Sequence, residues 1–302
     1  MALPPASDLA GHAPELPPAA PLFEAQRMPR ASFGAEVLDT DLADRLDAPF
    51  HAAALDALYR HKVLVFRDQE LSEGRFRDLA LGFGPLEPTS DRRIRNEPFE
   101  DLLTVTNVAP DGSLTVGPPS MASRFWHSDK SYLPRPPLAT VVYAIDVPGE
   151  DGETEFCNLT AAYNALPAAM RKRIDGLRVR HHRGFAYDGK PGFPKSTSEQ
   201  ERLYPPVEHP LVCVHPRTGE KTLYLGYFAA GIVGMDEAEG RALLDELTGH
   251  TTQKRFLLAH RWRRGDVMIW DNRSLLHRAR PFDPTTRART LIRAVVQADV
   301  PA

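Results

Sequence analysis

The stretch Phe125-Trp126-His127-Ser128-Asp129-Lys130-Ser131-Tyr132 sets an imidazole and a carboxylate two residues apart in a β-like context. Side chains two apart on a strand share a face, with Cα atoms roughly 7 Å apart, so His127 and Asp129 can converge on one ion while Ser128 points away. A neutral imidazole and a carboxylate suit a divalent transition metal, and a second histidine would complete a two-His-one-carboxylate facial triad. The spacing alone is weak. With 40 acids and 11 histidines in 302 residues, chance gives roughly one or two His-x-acid pairs, and this is the only one present. A solvated strand histidine beside an unrelated aspartate is the plain alternative.

Working outward, 302 residues can bury a large core, and 42% hydrophobic with 25% charged residues is ordinary for a globular protein. A net charge of −3 predicts no broad attraction to nucleic acid. Two cysteines, Cys157 and Cys213, are too few for a disulfide scaffold, so a reducing cytoplasmic home is expected. No apolar run has the length of a membrane span, and no secretory leader opens the chain.

Residues 1–30 hold Pro4, Pro5, Pro14, Pro17, Pro18, Pro21 and Pro29 among alanines, which predicts a loose leader ahead of one domain over 31–302. Apolar spacing predicts helices over 48–61, 72–83 with Ser72 as N-cap and Gly84 just past the end, and 236–248 opened by Asp236. Thr160 and Pro167 can each open a helical segment running to about Gly176. Strands are expected over 62–68, 102–108, 138–147, 153–156, 211–215, 222–225, 255–260, 266–271, 275–279 and 289–297. Between 181 and 206 neither period is visible, and a lid loop is expected there. The fold class that follows is mainly β with peripheral helices: a jelly-roll, cupin-like double-stranded β-helix.

A candidate second histidine ends Trp270-Asp271-Asn272-Arg273-Ser274-Leu275-Leu276-His277, where a polar turn gives way to an apolar segment. Next, Arg289-Thr290-Leu291-Ile292-Arg293 places two arginines about 13 Å apart on one face of an otherwise apolar strand. Guanidiniums aimed at an interior need an anion, and a carboxylate matches their planar fork; a solvated barrel edge is the alternative.

Together, His127-x-Asp129, Gly152-Glu153-Thr154, the Trp270 to His277 segment and Arg289-x-x-x-Arg293 resemble the signature set of the taurine and 2,4-D dioxygenase (TauD/TfdA) family, over about Phe33 to Val296. The resemblance implies Fe(II) held by His127, Asp129 and His277. It implies 2-oxoglutarate anchored by Arg289 with Thr154, and O2 as oxidant. Arg293 matches the position that meets the anionic head of the substrate, and Phe228, Lys130 and Ser123 fall at substrate-pocket positions. Ser123 stands where the taurine enzyme has Asn, and the segment from Glu87 to Arg95 lacks that enzyme's His and Tyr, which argues against taurine. The expected activity is hydroxylation of a small anionic substrate such as a carboxylate, sulfonate or alkyl sulfate, with release of succinate and CO2, by an assembly of identical subunits. Two rivals are a zinc hydrolase using the same triad and a barrel that binds an organic acid without turnover.

Overall fold

The computed structural model describes residues 22–29, 31–88, 98–115, 121–184 and 197–298. Among the described residues fifteen strands run in chain order: β1 Glu24–Arg27, β2 Ala35–Leu38, β3 Val63–Phe66, β4 Leu102–Thr106, β5 Ala139–Asp146, β6 Thr154–Asn158, β7 Arg178–His181, β8 Val207–Pro210, β9 Val212–Val214, β10 Lys221–Leu223, β11 Ala229–Ile232, β12 Leu257–His260, β13 Val267–Asp271, β14 Leu275–Ala279 and β15 Thr290–Val296. The helices are α1 Ala48–His61, α2 Glu73–Leu81, α3 Leu159–Asn164, α4 Ala168–Ile174, α5 Ser198–Leu203 and α6 Glu237–Thr251. Among the described residues no helix is long and apolar enough to cross a membrane.

A seven-stranded sheet, ordered β1-β2-β3-β13-β5-β15-β4, faces a three-stranded sheet ordered β12-β6-β14. The apolar run Val63-Leu64-Val65-Phe66 shows why β3 lies inside: both of its faces are covered. Leu64 and Phe66 pack with Phe50, Leu58, Phe76 and Leu79 of α1 and α2. Val63 and Val65 pack with Val142, Phe156, Trp270 and Leu275 in the layer between the sheets. The outer face of the small sheet, through Cys157 and Leu276, packs on α3 and α6. The protein is thus mainly β with flanking helices.

Several expected elements shift. The helix expected over 72–83 keeps its Ser72 cap, whose Oγ accepts from the Arg75 amide at 3.2 Å, but ends at Leu81 rather than running on to Gly84. Gly82 stays right-handed with its amide donating to the Asp78 carbonyl at 3.2 Å, and the chain leaves the helical path by Gly84, at a φ of 144°. A Cβ at Gly82 would meet the His51 ring, 2.0 Å from Nε2. His51 is itself held by contacts to the Asp47 and Leu79 carbonyls, both at 3.0 Å. The expected leader is wrong at its end: Glu24–Arg27 pairs with β2 as a sheet edge. No proline falls within those four residues, and an edge strand tolerates Pro21 and Pro29 outside it. Residues 1–21 lie outside the described residues. Within the expected loop 181–206, residues 185–196 lie outside them too, while α5 folds behind a Thr197/Gln200 capping box that apolar periodicity could not reveal.

Replacing Gly82 by Ala removes a helix-weakening residue yet should destabilise the protein by about 1–3 kcal/mol, because the methyl displaces His51. Urea unfolding of Gly82→Ala against the wild type checks this, and a stabilised variant would refute the steric reading.

Candidate active site

His127 and His277 are joined as a single β-bridge. The His127 amide donates to the His277 carbonyl at 3.0 Å and the His277 amide returns the bond at 2.8 Å. The expected strand through His127 and Asp129 is therefore reduced to one bridged residue. Asp129 lies in the turn that follows, where Lys130 adopts a positive φ of 48° and its carbonyl accepts from the Leu133 amide at 2.9 Å. The turn, not strand periodicity, brings the two side chains together. Gly226 permits the crossing chain above, since a Cβ at its φ of 118° would stand 3.0 Å from the Trp126 carbonyl.

His127, Asp129 and His277 are all buried, and one ligand atom from each lies within 4.8 Å of the others. His127 Nε2 is 3.7 Å from Asp129 Oδ1, and His277 Nε2 is 3.8 Å from Oδ2. These gaps exceed a hydrogen bond and, with ligand bonds of about 2.1 Å, leave room for an ion. The Nδ1 of His127 contacts the Phe125 carbonyl at 2.8 Å, which places the proton there and turns the Nε2 lone pair inward. Burial and neighbouring His127 push His277 down to about 3. Burial alone would raise Asp129, but Arg293 and then the two imidazoles hold it well below the usual carboxylate range. Two imidazoles and a carboxylate are the donors a divalent iron-type ion takes.

Arg289 is buried and Arg293 half-buried. Arg289 immediately precedes β15, and its amide donates to Asn107 Oδ1 at 2.7 Å. Its side chain is buried, its Nε finds no partner among the described residues, and burial pulls its pKa down to about 10. Arg293 NH1 donates to Asp129 Oδ1 at 2.9 Å, and its Nε is likewise buried without a partner. Thr154 accepts from Trp262 Nε1 at 2.9 Å. Since the indole can only donate, the hydroxyl proton of Thr154 remains to be given elsewhere. Ala279, opposite Thr154 in the β6–β14 register, lines a cleft with Arg289, Ser123, Val105 and Phe282.

The substrate-pocket residues separate. Ser123 lies on the Arg289 side of the site. Phe228 is buried edge-on to His127, ring centroids 6.3 Å apart, and 4.9 Å from Tyr132. Lys130 is mostly covered rather than a solvated rim charge, with Nζ 3.4 Å from Glu87 Oε1, and burial lowers its pKa against the pull of Glu87. Asn107, Thr140, Trp262 and Asn272 also serve the site, and no spacing rule could have picked them from the sequence.

Against known proteins, the family model "Taurine catabolism dioxygenase TauD, TfdA family" matches residues 21–295. The chain is 37% identical over 280 residues to the alpha-ketoglutarate-dependent 2,4-dichlorophenoxyacetate dioxygenase of Cupriavidus pinatubonensis, covering 88% of this chain and 95% of that one. It is 32% identical to the alpha-ketoglutarate-dependent sulfate ester dioxygenase of Pseudomonas putida, covering 89% and 87%. The crystal structure of AAD-2 in complex with Mn(II) and N-oxalylglycine superposes with a TM-score of 0.82 at 31% identity, covering 92% and 98%. A facial ligand set beside a buried arginine on two facing sheets is the build of a metal- and 2-oxo-acid-dependent oxygenase. The chain belongs to the TauD/TfdA family of Fe(II)- and 2-oxoglutarate-dependent dioxygenases. It is accordingly an oxidoreductase that uses 2-oxoglutarate and O2.

Two buried imidazoles set the acid limit of stability. His277 and His181 both sit near 3 in the folded chain, each chiefly through burial, whereas in the unfolded chain they protonate near 6.5. Their depressed pKa values contribute stability above pH 6.5 that is lost as pH falls toward 3, by up to about 1.4 kcal/mol per pH unit for each group. The urea midpoint should fall between pH 7.5 and 5, and a midpoint that rose on acidification would contradict this.

Proposed function

We propose that His127, Asp129 and His277 hold Fe(II), that Arg289 and the Thr154 hydroxyl seat the distal carboxylate of 2-oxoglutarate, and that Arg293 and Lys130 receive a small anionic second substrate. One observation carries the reading: a buried guanidinium with an unpartnered Nε beside a buried two-imidazole, one-carboxylate set. An interior cation without a counter-ion costs several kcal/mol, and a dicarboxylate offsets that cost through paired, charge-assisted bonds. A zinc hydrolase or a passive organic-acid carrier leaves one half of this pairing without a use.

With iron and 2-oxoglutarate in place, the chemistry supplied is oxidative decarboxylation to succinate and CO2 coupled to oxygen insertion into a C–H bond. The chain's own part is positional. Asp129 has lone pairs enough over two oxygens for a metal, Arg293 and Thr140 together. Arg293, with five N–H donors, can hold Asp129 and still offer its remaining edge to a substrate anion. Phe228 covers the His127 imidazole, and Tyr132 packs edge-on against Phe228, so the two present aromatic surface beside the site. Of the anions named for the two relatives, the aryloxyalkanoate brings an aromatic ring of its own to these faces, which a sulfate ester need not. Hydroxylation of the carbon beside its ether oxygen would give a hemiacetal that collapses to a phenol and an oxo acid. We also read the two facing sheets as a double-stranded β-helix, a reading that the layered core between them supports.

Purified protein with Fe(II), 2-oxoglutarate and a panel of aryloxyalkanoates, sulfonates and alkyl sulfates should form succinate, most with the aryl acids, and Asp129→Ala should form none. Zinc-dependent hydrolysis in place of oxygen consumption would overturn the reading. Arg289→Gln should raise the KM for 2-oxoglutarate by about 10²-fold, the effect of losing one buried charged partner. Lys130→Met should raise the KM of the anionic substrate about tenfold and leave that of 2-oxoglutarate within about twofold. Equal effects on both constants would remove Lys130 from the substrate side.

A further inference from the structure

Behind Asp129 runs a chain of buried side chains whose hydrogen-bond polarity has only one solution. It starts at Trp270, whose indole N–H can donate and cannot accept. Its Nε1 lies 3.0 Å from Asn272 Oδ1, so the amide oxygen of Asn272 faces Trp270 and its Nδ2 faces the other way. That Nδ2 donates to Thr140 Oγ1 at 2.9 Å. A hydroxyl has a single proton, and with the amide donating to it, Thr140 is left to donate rather than accept. Asp129 Oδ2 stands 2.7 Å away, a length typical of O–H to carboxylate. Asn272 is itself stitched in place, its carbonyl accepting from Ser128 Oγ at 2.7 Å and its amide donating to the Leu138 carbonyl at 3.1 Å. Thr140, Asn272, Trp270 and Asp129 are all 3% exposed or less, so water does not compete along the chain.

We infer that Trp270, Asn272 and Thr140 form a polarity-setting relay that makes Thr140 an obligate donor to Asp129 and fixes the rotation of its carboxylate. The relay grips Oδ2 and Arg293 grips Oδ1, and the remaining lone pairs are turned toward the two imidazoles. Thr140 and Asn272 are then positioning residues that act through Asp129. The far end of the relay bears on the opposite ligand as well, since the Trp270 ring lies 4.8 Å from that of His277. The inference rests on reading Asp129 as a metal ligand.

The test is Mn(II) binding to the purified full chain, followed by loss of the electron paramagnetic resonance signal of aqueous Mn(II). Thr140→Val keeps the shape and loses the proton; Thr140→Ser keeps the proton and loses a methyl group. The valine variant should bind Mn(II) roughly 10- to 100-fold more weakly, as outer partners of metal ligands do, and serine should restore affinity to within about twofold of wild type. Unchanged affinity in a folded Thr140→Val protein, or an equal loss in the serine variant, overturns the relay and leaves the metal site standing. A wild-type chain that takes up no Mn(II) removes the metal site and the relay together. Should valine prevent folding, Thr140→Ala against Thr140→Ser makes the same comparison of hydroxyl with no hydroxyl.

Discussion

Two backbone hydrogen bonds between His127 and His277 hold together segments far apart in the chain, and the chemistry of the site depends on them. Peptide groups make these bonds, so the meeting of the imidazoles does not rely on side-chain reach. β14 is anchored by its register with β6, which sets His277 opposite Phe156 and Ala279 opposite Thr154. The turn before β14 is pinned at Asp271, whose carboxylate meets His215 Nε2 at 3.0 Å and caps the Arg273 amide at 3.0 Å. A short bridge between two otherwise well-held segments is enough to fix the geometry of three ligands.

Charge placement around that bridge follows one rule: a buried ion has a partner of opposite charge. Asp129 is matched by Arg293, Lys130 by Glu87, and Asp266 by Arg67 at 2.7 Å with His260 at 3.0 Å. Arg289 departs from the rule, held through its backbone by Asn107 while its Nε is unpartnered. In a dry interior such a departure points to ligand rather than to structure, because structural cations are cheaper to keep when paired.

The ligands, the arginines and the central strands were legible because each carries a local mark. His127 and Asp129 are set apart by spacing, β3 by an unbroken apolar run, β5 by a mostly apolar, β-branched one, and the arginines by charge beside and within an apolar strand. What was hidden lacked such a mark. Thr140 is one hydroxyl among β-branched neighbours in β5, and its importance appears only when β13 brings Trp270 opposite it. β7, β8 and β11 are four-residue strands with little periodicity, and β1 is a polar edge strand read as leader. The lone indole of Trp262 gave no sign that it would set the proton of Thr154. The roles proposed for Thr154 and Arg293 come from motif resemblance, since composition and period do not assign them.

The strand order has a consequence for assembly. β15 follows all the other described strands in the chain, yet it fits between β5 and β4, pairing with both. Before it arrives, those two strands have nothing to join them, and neither arginine is in place. His127, Asp129 and His277 all precede that strand, so the three can meet before β15 and its Arg293 are in place. Pairing of β15 with both neighbours completes the seven-stranded sheet, and pairings this distant in sequence slow folding.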